Sequence, residues 1–303
     1  MNYVILDMEW DNVYLKSKHG FINQILQIGA VKCDENLNII DTLKINVKSS
    51  VSKKVSSRFT ELTKITTEEM LSGIPLKEAV EKYNKWVGSD FITLTWSNSD
   101  LYSIAENEKY LTLGAKFKLE KYLDLQKYIQ NEIRLSGLEL KSQISLQDAA
   151  KVYNIGFDDL ELHTAKDDSL LCLKLLRKNF NAERFFCQVQ DTRDPAFYKK
   201  LYFKSYYLKN LSAEKIGEEN LDFFCDKCGE KALRKTKWRY HNRWFCANFY
   251  CKKCRRKFQG RISVKKTFDG LTVRKRICEI KKEEKNNAVQ SVPEKVQCAA
   301  RER

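Results

Sequence analysis

Apolar residues recur with two different periods, which predicts alternating strands and helices over the first 180 residues. Period-two or continuous apolar runs, typical of strands, lie at 3–6, 21–32, 37–47, 91–96 and 121–125. Helical spacing of apolar residues occurs at 75–87, 145–153 and 167–179. The first three strands predict an antiparallel meander. Because helices and strands then alternate, we expect an α/β domain with a mixed sheet that ends near residue 180.

The rest of the chain divides by composition. Residues 181–220 are rich in aromatic side chains and are predicted to connect two domains. Packing is the favoured explanation for these rings, with stacking on bases as the alternative. Residues 221–278 combine cysteines with strand-forming residues. Residues 279–303 are polar and lack periodicity, which predicts a disordered tail.

The net charge is confined to the C-terminal part of the chain. Of the total of +15, residues 1–180 carry −1 and residues 181–303 carry +16. Residues 227–276 contain 18 lysines and arginines against two acids, Glu230 and Asp269. A block this basic is typical of a surface that binds a polyanion, and a general contribution to solubility is the alternative.

Membrane and secretory segments are not expected. No apolar stretch approaches the roughly 20 residues of a transmembrane helix, so we expect no membrane partner. The N-terminus has no basic region, and its apolar run stops at Asp7, which argues against a standard signal peptide. Ten cysteines without such a signal favour a reducing compartment, and we expect a cytoplasmic protein.

Four acids and one histidine stand where predicted strands end or helices begin. Asp7 and Glu9 are two residues apart on the first strand, so both project from one face beside apolar residues. Asp100 follows the strand at 91–96, and an H-x4-D motif joins His163 to Asp168 at the start of a helix. Singly, such acids are also explained as solvated strand ends or helix N-terminal residues. Paired, poorly hydrated carboxylates become favourable when a divalent cation lies between them.

In chain order these residues spell D-x-E, D and H-x4-D. The pattern resembles the DEDDh branch of the DnaQ-like 3′–5′ exonuclease superfamily over residues 1–180, and is most similar to its RNA-processing subgroup. The segments Q-I-G-A-V at 27–31 and E-L-T-K-I-T at 61–66 resemble two further motifs of the family. The chain departs from the family at Lys64, where glycine is usual. It also lacks the His-Asn that many members carry before the aspartate at position 100.

The resemblance implies an RNase H-like fold, with a mixed five-stranded sheet flanked by helices. It also implies phosphodiester hydrolysis by a two-metal mechanism. Two Mg²⁺ or Mn²⁺ ions would be held by Asp7, Glu9, Asp100 and Asp168. His163 would be the general base, since histidine changes its charge near neutral pH. The residues implied to contact the terminal nucleotide are Met8, Trp10, Leu62 and Thr63.

Two C-x-x-C pairs predict a tetrahedral Zn²⁺ site formed by Cys225, Cys228, Cys251 and Cys254. The strand formers between them resemble a zinc ribbon, and four thiolates leave no position for water, so this zinc would be structural. A redox C-x-x-C is the alternative, although the segment has no thioredoxin-like helix, and Cys246 is a spare ligand. The basic residues predicted to follow a phosphate backbone are Lys235, Lys237, Arg239, Arg243, Arg255 and Arg256.

Together these features predict a metal-dependent 3′–5′ exonuclease that acts on single-stranded nucleic acid, with RNA favoured over DNA. Residues 1–180 would be the nuclease domain, 181–220 a connector, and 221–278 a zinc ribbon that binds nucleic acid. A catalytically inactive binding protein is the main alternative. An accessory protein whose ribbon contacts another protein is a third possibility. The presence of all four acids and the histidine favours the enzyme.

Overall fold

The computed structural model describes residues 1–140, 142–160 and 163–280, and it forms two compact units. The first unit is Met1–Tyr202, and the second begins at Phe203. The aromatic segment at 181–220 is divided between them: Phe185 and Phe197 are buried in cores of the first unit, and Leu208 is buried in that of the second. These three side chains therefore serve packing. The predicted tail lies, from residue 281 onward, outside the described residues.

The elements of the described ranges follow in chain order. The strands are β1 (Asn2–Leu15), β2 (Gly20–Cys33), β3 (Ile39–Lys48), β4 (Ile74–Pro75), β5 (Phe91–Thr95), β6 (Lys121–Asp124), β7 (Gln190–Asp191), β8 (Tyr206–Tyr207), β9 (Phe223–Phe224), β10 (Lys231–Arg234), β11 (Arg239–His241), β12 (Trp244–Tyr250), β13 (Lys257–Thr267) and β14 (Gly270–Cys278). The α-helices are α1 (Ser57–Thr63), α2 (Thr67–Ser72), α3 (Leu76–Val87), α4 (Ser99–Tyr110), α5 (Leu125–Leu135), α6 (Leu146–Val152), α7 (Ala165–Asn179), α8 (Ala182–Phe186) and α9 (Pro195–Tyr202). No helix among these is long and apolar enough to cross a membrane.

The first unit is built on a mixed sheet of order β4-β3-β2-β1-β5-β6-β7. The predicted meander is confirmed, because β1, β2 and β3 pair antiparallel, and β5 then pairs parallel to both β1 and β6. Side chains of β1 alternate between two cores: Val4 and Leu6 pack with α3 and α4, whereas Tyr3 and Ile5 pack with α5 and α7. The five longer strands are those predicted. The structure adds β4 and β7, which are too short to leave a pattern in the sequence.

The hairpin of β1 and β2 is longer than predicted. The apolar pattern of the first strand ends at residue 6, but β1 continues to Leu15, because the polar residues that follow still pair with β2. Between Glu9 and Trp10 the register shifts, so that Leu26 is an extra residue on β2. Leu26 is fully buried and packs with side chains around α1 and α2, including Met70.

The second unit is β-rich, as predicted. Its main strand order is β14-β13-β12-β10-β9, with β11 beside β12 and β8 beside β13. Residues alternate along β12 between buried positions, such as Phe245 and Ala247, and partly exposed ones. The buried face packs against β9, β10 and the segment that precedes them, and Trp238 packs against this core.

Candidate active site

Helix α7 lies directly against the backbone of Gly29 on β2. A Cβ atom at Gly29 would stand 2.2 Å from the carbonyl carbon of Ala165 and 2.3 Å from the nitrogen of Lys166. Hydrogen bonds complete the contact: the Ala165 N–H donates to Gln27 Oε1 at 3.2 Å, and the Ser169 hydroxyl donates to the Gly29 carbonyl at 3.4 Å. Only glycine permits this approach, which explains the Q-I-G-A-V motif.

This contact brings three of the predicted acids together. Asp7 pairs with Gly29 across the β1–β2 ladder, Glu9 follows on the same face, and Asp168 lies in the first turn of α7. One carboxylate oxygen from each of the three lies within 4.8 Å of the other two. The predicted D-x-E pair and the acid of the H-x4-D motif therefore form one cluster.

Asp100 lies beside this cluster rather than within it. It occupies the second position of α4, just beyond β5, and its Oδ1 accepts a hydrogen bond of 3.1 Å from the Met8 N–H. The turn before α4 is held by Tyr122, whose hydroxyl donates to Asn98 Oδ1 at 2.9 Å, and by a left-handed Ser97. This turn replaces the His-Asn dipeptide common in the family and still points the aspartate at β1.

Burial and mutual repulsion raise the pKa values of these acids. Desolvation, followed by the charges of Asp100, Glu9 and Asp168, raises the pKa of Asp7 far above its ordinary value. Burial, with the charges of Asp168 and Asp100, raises the pKa of Glu9 to about 8. Burial also raises the pKa of Asp100 to about 8, although hydrogen bonds from backbone N–H groups oppose the shift.

The donor set fits divalent cations. In the described part of the chain, no lysine or arginine forms an ion pair with any of the four acids. Partly buried carboxylates without a cationic partner repel one another, and a hard divalent cation removes that repulsion. Mg²⁺ and Mn²⁺ prefer such oxygen ligands. Asp7, Glu9 and Asp168 can hold one ion, and Asp100 can contribute beside Asp7.

His163 lies at the edge of the cluster. Its backbone has a left-handed φ of 68°, and its N–H donates to Asp168 Oδ1 at 3.4 Å. This hydrogen bond and the histidine charge both lower the pKa of Asp168, against a larger increase caused by burial. The side chain of His163 is exposed and so is accessible to a substrate.

A cavity of about 400 Å³ begins where the acids end on β1. Trp10 and Leu62 both line it, together with Asn12, Asn23 and Arg58. The other two residues implied to contact a nucleotide are placed differently. The side chain of Met8 is buried, and that of Thr63 is 5% exposed and hydrogen-bonded to the backbone of its own helix.

Sequence reasoning missed one carboxylate, Asp124, at the C-terminal end of β6. It is the N-cap of α5, accepting a hydrogen bond of 2.9 Å from the Lys127 N–H, and burial raises its pKa. Its charge in turn raises the pKa of Asp100. The sequence held a signal for Asp124. The parallel strands β5 and β6 end at the same edge of the sheet, so an aspartate at the end of β6 is expected near the aspartate that follows β5.

The four predicted zinc ligands form the second metal-type cluster of the described residues. The sulfur atoms of Cys225, Cys228, Cys251 and Cys254 all lie within 4.8 Å of one another. The residue after each C-x-x-C pair is left-handed: Gly229 has a φ of 73° and Arg255 a φ of 53°. Number, type and proximity of these ligands match a closed zinc site, and Cys246 is not part of it.

The six basic residues predicted to bind nucleic acid lie on several different turns and strands of the second unit. Arg256 forms an ion pair with Asp226, and Arg255 lies in the second C-x-x-C turn. Arg243 lies in the tight turn between β11 and β12, with its guanidinium 5.1 Å from the centre of the Tyr207 ring. Lys235 and Lys237 are exposed between β10 and β11, and Arg239 is on β11.

Comparison with known proteins agrees with this arrangement. The sequence model of the family described as Exonuclease matches residues 4–176, which is more than half of the chain. The chain belongs to the exonuclease family. No curated protein matches the sequence significantly.

Solved structures of exonucleases share the fold of the first unit. The nuclease domain of 3′hExo, a DEDDh family member solved with bound rAMP, is 18% identical with a TM-score of 0.51, over 58% of this chain and 90% of that one. The cell-death related nuclease 4 (CRN-4) is 19% identical with a TM-score of 0.50, over 58% of this chain. The match spans 62% of the CRN-4 chain. These likenesses confirm the fold predicted for the first unit, a mixed sheet flanked by helices.

Proposed function

We propose that the chain is a metal-dependent 3′–5′ exonuclease that shortens single-stranded nucleic acid, RNA in preference to DNA. The observation that carries the proposal is the cluster of Asp7, Glu9 and Asp168, with Asp100 hydrogen-bonded beside it. By the resemblance these carboxylates are the four acids of the DEDDh pattern, and no lysine or arginine of the described residues forms an ion pair with them. Preference for RNA rests on the similarity to the RNA-processing subgroup.

When bound, two divalent cations supply an activated water and neutralise charge on the reacting phosphoryl oxygens. Asp7, Glu9 and Asp168 would hold one cation, and Asp7 with Asp100 would hold the other. His163, exposed beside Asp168, accepts the proton of the attacking water at an imidazole nitrogen. The Met8 N–H keeps the Asp100 carboxylate directed at β1.

The cavity beside Trp10 receives the terminal nucleotide in this mechanism. Trp10 and Leu62 offer apolar surface to a base, Asn12 and Asn23 offer amide groups, and Arg58 offers a cation for a phosphate. Because the cavity directly follows Glu9 along the strand, a terminal nucleotide whose base is held there would have the phosphodiester on its 5′ side at the acids. We propose no base contact for Thr63, since its hydroxyl is engaged within α1.

The second unit holds one structural Zn²⁺ in the proposal and adds affinity for the nucleic-acid strand. Four thiolates close the site, so that the zinc stabilises the small β-rich core and takes no part in hydrolysis. Thiolate ligands of this kind require a reducing compartment, and we propose that the protein acts in the cytoplasm.

The test compares Asp7→Asn with the wild-type chain on a single-stranded 20-nucleotide RNA labelled at its 5′ end and on DNA of the same sequence. We expect the wild type to give a ladder of 5′-labelled products in Mg²⁺ or Mn²⁺, with RNA degraded faster. Asp7→Asn removes the carboxylate shared by both cations, and should lower the rate at least a hundredfold with the fold intact.

Asp158→Asn is the matched control, because Asp158 is exposed in a loop and makes the same change of charge. It should degrade both strands at the wild-type rate. Substantial turnover by Asp7→Asn in Mg²⁺, or a wild type that leaves both oligonucleotides intact, contradicts the proposed activity. A 3′-labelled strand that persists while the 5′ label is released contradicts the proposed direction.

A further inference from the structure

The strand register of the second unit places three arginines in one row across four strands. Arg239 on β11 lies opposite Cys246, Cys246 lies opposite Arg261 on β13, and Arg261 lies opposite Arg276 on β14. Residues directly opposite each other in antiparallel strands project from the same face of a sheet. Adjacent strands are about 4.8 Å apart, so the row spans about 14 Å.

This row lies on the face opposite to the core. Phe245 and Ile262, the neighbours of Cys246 and Arg261 along their strands, are buried in the core, so the alternate positions point away from it. Arg239 and Arg276 are exposed, and Arg261 is partly exposed. The arginine row is therefore available to a ligand.

A second row on the same face carries aromatic rings. His241 lies opposite Trp244, and the buried Ser263 lies opposite Arg274, each two residues along its strand from the first row. The guanidinium of Arg276 lies 5.3 Å from the centre of the Trp244 ring. We call the surface formed by the two rows the arginine face, consisting of Arg239, His241, Trp244, Arg261, Arg274 and Arg276.

The arginine face lacks compensating charge. Like charges directly opposite each other on a sheet are destabilising, as Arg261 and Arg276 are here. In the described ranges no carboxylate forms an ion pair with Arg261, Arg274 or Arg276. The basic character of this face is thus a cost to folding, and an anionic partner that neutralises neighbouring guanidinium groups removes that cost.

We propose that the arginine face binds single-stranded RNA, the strand that the active site shortens. The RNA identity of the occupant rests on the proposed function, whereas the surface rests on the register alone. Guanidinium groups bind phosphates in a bidentate way, and their planes stack on bases as Trp and His rings do. The bases of a single strand are unpaired and can stack on such rings, whereas the bases of a duplex are already stacked and paired. An acidic peptide could bind the guanidinium groups but would make no use of the rings.

The proposal changes which residues of the second unit contact nucleic acid. Of the six basic residues predicted from the sequence, only Arg239 belongs to the arginine face. The others lie in turns, near the C-x-x-C pairs or in an ion pair. Arg261, Arg274 and Arg276 follow the second C-x-x-C pair, and only their strand pairing places them beside Arg239 and Trp244.

The experiment measures affinity for a fluorescent single-stranded 20-nucleotide RNA over a salt series, using the full chain with Asp7→Asn and no Mg²⁺. Arg274→Ala combined with Arg276→Ala should lower the slope of log affinity against log salt by about 1.4, since each single-strand phosphate contact contributes about 0.7. Trp244→Ala should weaken binding roughly tenfold and leave the slope unchanged, because stacking releases no counterions. Arg276→Lys should keep the slope and lose affinity, because it keeps charge without a planar group.

The matched control is Lys252→Ala combined with Lys253→Ala, which removes two exposed charges from the second C-x-x-C pair. It should bind as the parent chain does. The proposal is overturned if the slope of log affinity against log salt falls as much in this control as in the Arg274→Ala, Arg276→Ala variant. It is also overturned if zinc-loaded Trp244→Ala binds the RNA with unchanged affinity. Competition by polyglutamate as effective as that by RNA of equal charge also overturns it. Hydrolysis of a tetranucleotide by the same face variants with Asp7 restored tests the proposed activity separately.

Discussion

Replacement of Gly29 by alanine should displace the whole first turn of α7. The added Cβ would lie 2.2 Å from the Ala165 carbonyl carbon, whereas ordinary contacts begin near 3.4 Å. The obstructing atoms are backbone on both sides, so no side chain can move to absorb the clash. Helix and strand must separate by about 1 Å, which carries Asp168 away from Asp7 and Glu9. A displacement of this size can cost about a hundredfold in rate.

We therefore expect Gly29→Ala to lower kcat about a hundredfold, to raise the Mg²⁺ concentration for half-maximal activity, and to lower the free energy of unfolding by about 1–3 kcal/mol. Initial rates over a Mg²⁺ titration, with urea unfolding of the same samples, measure these effects. Gly156→Ala is the control, because its Cβ would meet no atom within 4 Å. A Gly29→Ala protein with wild-type rates and Mg²⁺ dependence would refute the argument that this glycine positions Asp168.

Four further predictions concern single groups of the two units. His163→Asn, which suits a left-handed backbone, should slow hydrolysis about 10²- to 10⁴-fold and leave Mg²⁺ binding unchanged, as measured by calorimetry. Without divalent cations, the free energy of unfolding should fall as pH rises from 5 to 8. The reason is that Glu9 and Asp100 have pKa values of about 8 in the folded state and therefore bind protons more tightly there than in the unfolded chain. Addition of Mg²⁺ should reverse this loss of stability. Lys64→Gly should raise the free energy of unfolding by about 1 kcal/mol, since Lys64 has a φ of 61° at the end of α1. Cys225→Ser should release zinc and unfold the second unit, with hydrolysis of short oligonucleotides retained.

Each of these predictions has a control and a contradicting result. Full activity in His163→Asn would exclude its role as general base, and His19→Ala controls for the loss of an exposed imidazole. Glu9→Gln should flatten the pH dependence of stability, and an unchanged slope would contradict the argument. Lys85→Gly, within α3, should destabilise the fold rather than stabilise it. A wild type without zinc by elemental analysis would contradict the thiolate site.

The sequence predicted most of the first sheet because each long strand has its own apolar pattern. The acids were identifiable because each stands where a strand pattern ends or a helix pattern begins. The acids come together in space because Gly29 contacts Ala165. The family resemblance implied that the acids share a site, but it did not reveal this tertiary contact. Lys64 occupies a position where the family motif usually has glycine. Its backbone is nevertheless left-handed, a conformation that is strained for lysine.

Features that depend on pairing between distant segments could not be predicted. The alternation of acids with Met8 and Trp10 does not show how far β1 continues, and only its pairing with β2 reveals that it reaches Leu15. Thr63 matched a family motif, yet the turn of α1 directs its hydroxyl to the Phe59 carbonyl. The basic residues of the second unit are counted easily from the sequence, but which of them share a surface follows from the register of β11 to β14.

The extra residue at Leu26 gives the cavity beside Trp10 and the cluster of acids separate supports in the fold. Leu26 interrupts the ladder next to Glu9 and anchors a small core of its own with Phe59, Ile65 and Met70, apart from the two cores that support the acids. The segment that contributes Leu62 and Arg58 to the cavity beside Trp10 is therefore supported by a different core from the acids. Substitutions within residues 49–72 that keep Phe59, Ile65 and Met70 apolar should therefore reshape this cavity while the contact of Gly29 with Ala165 is preserved.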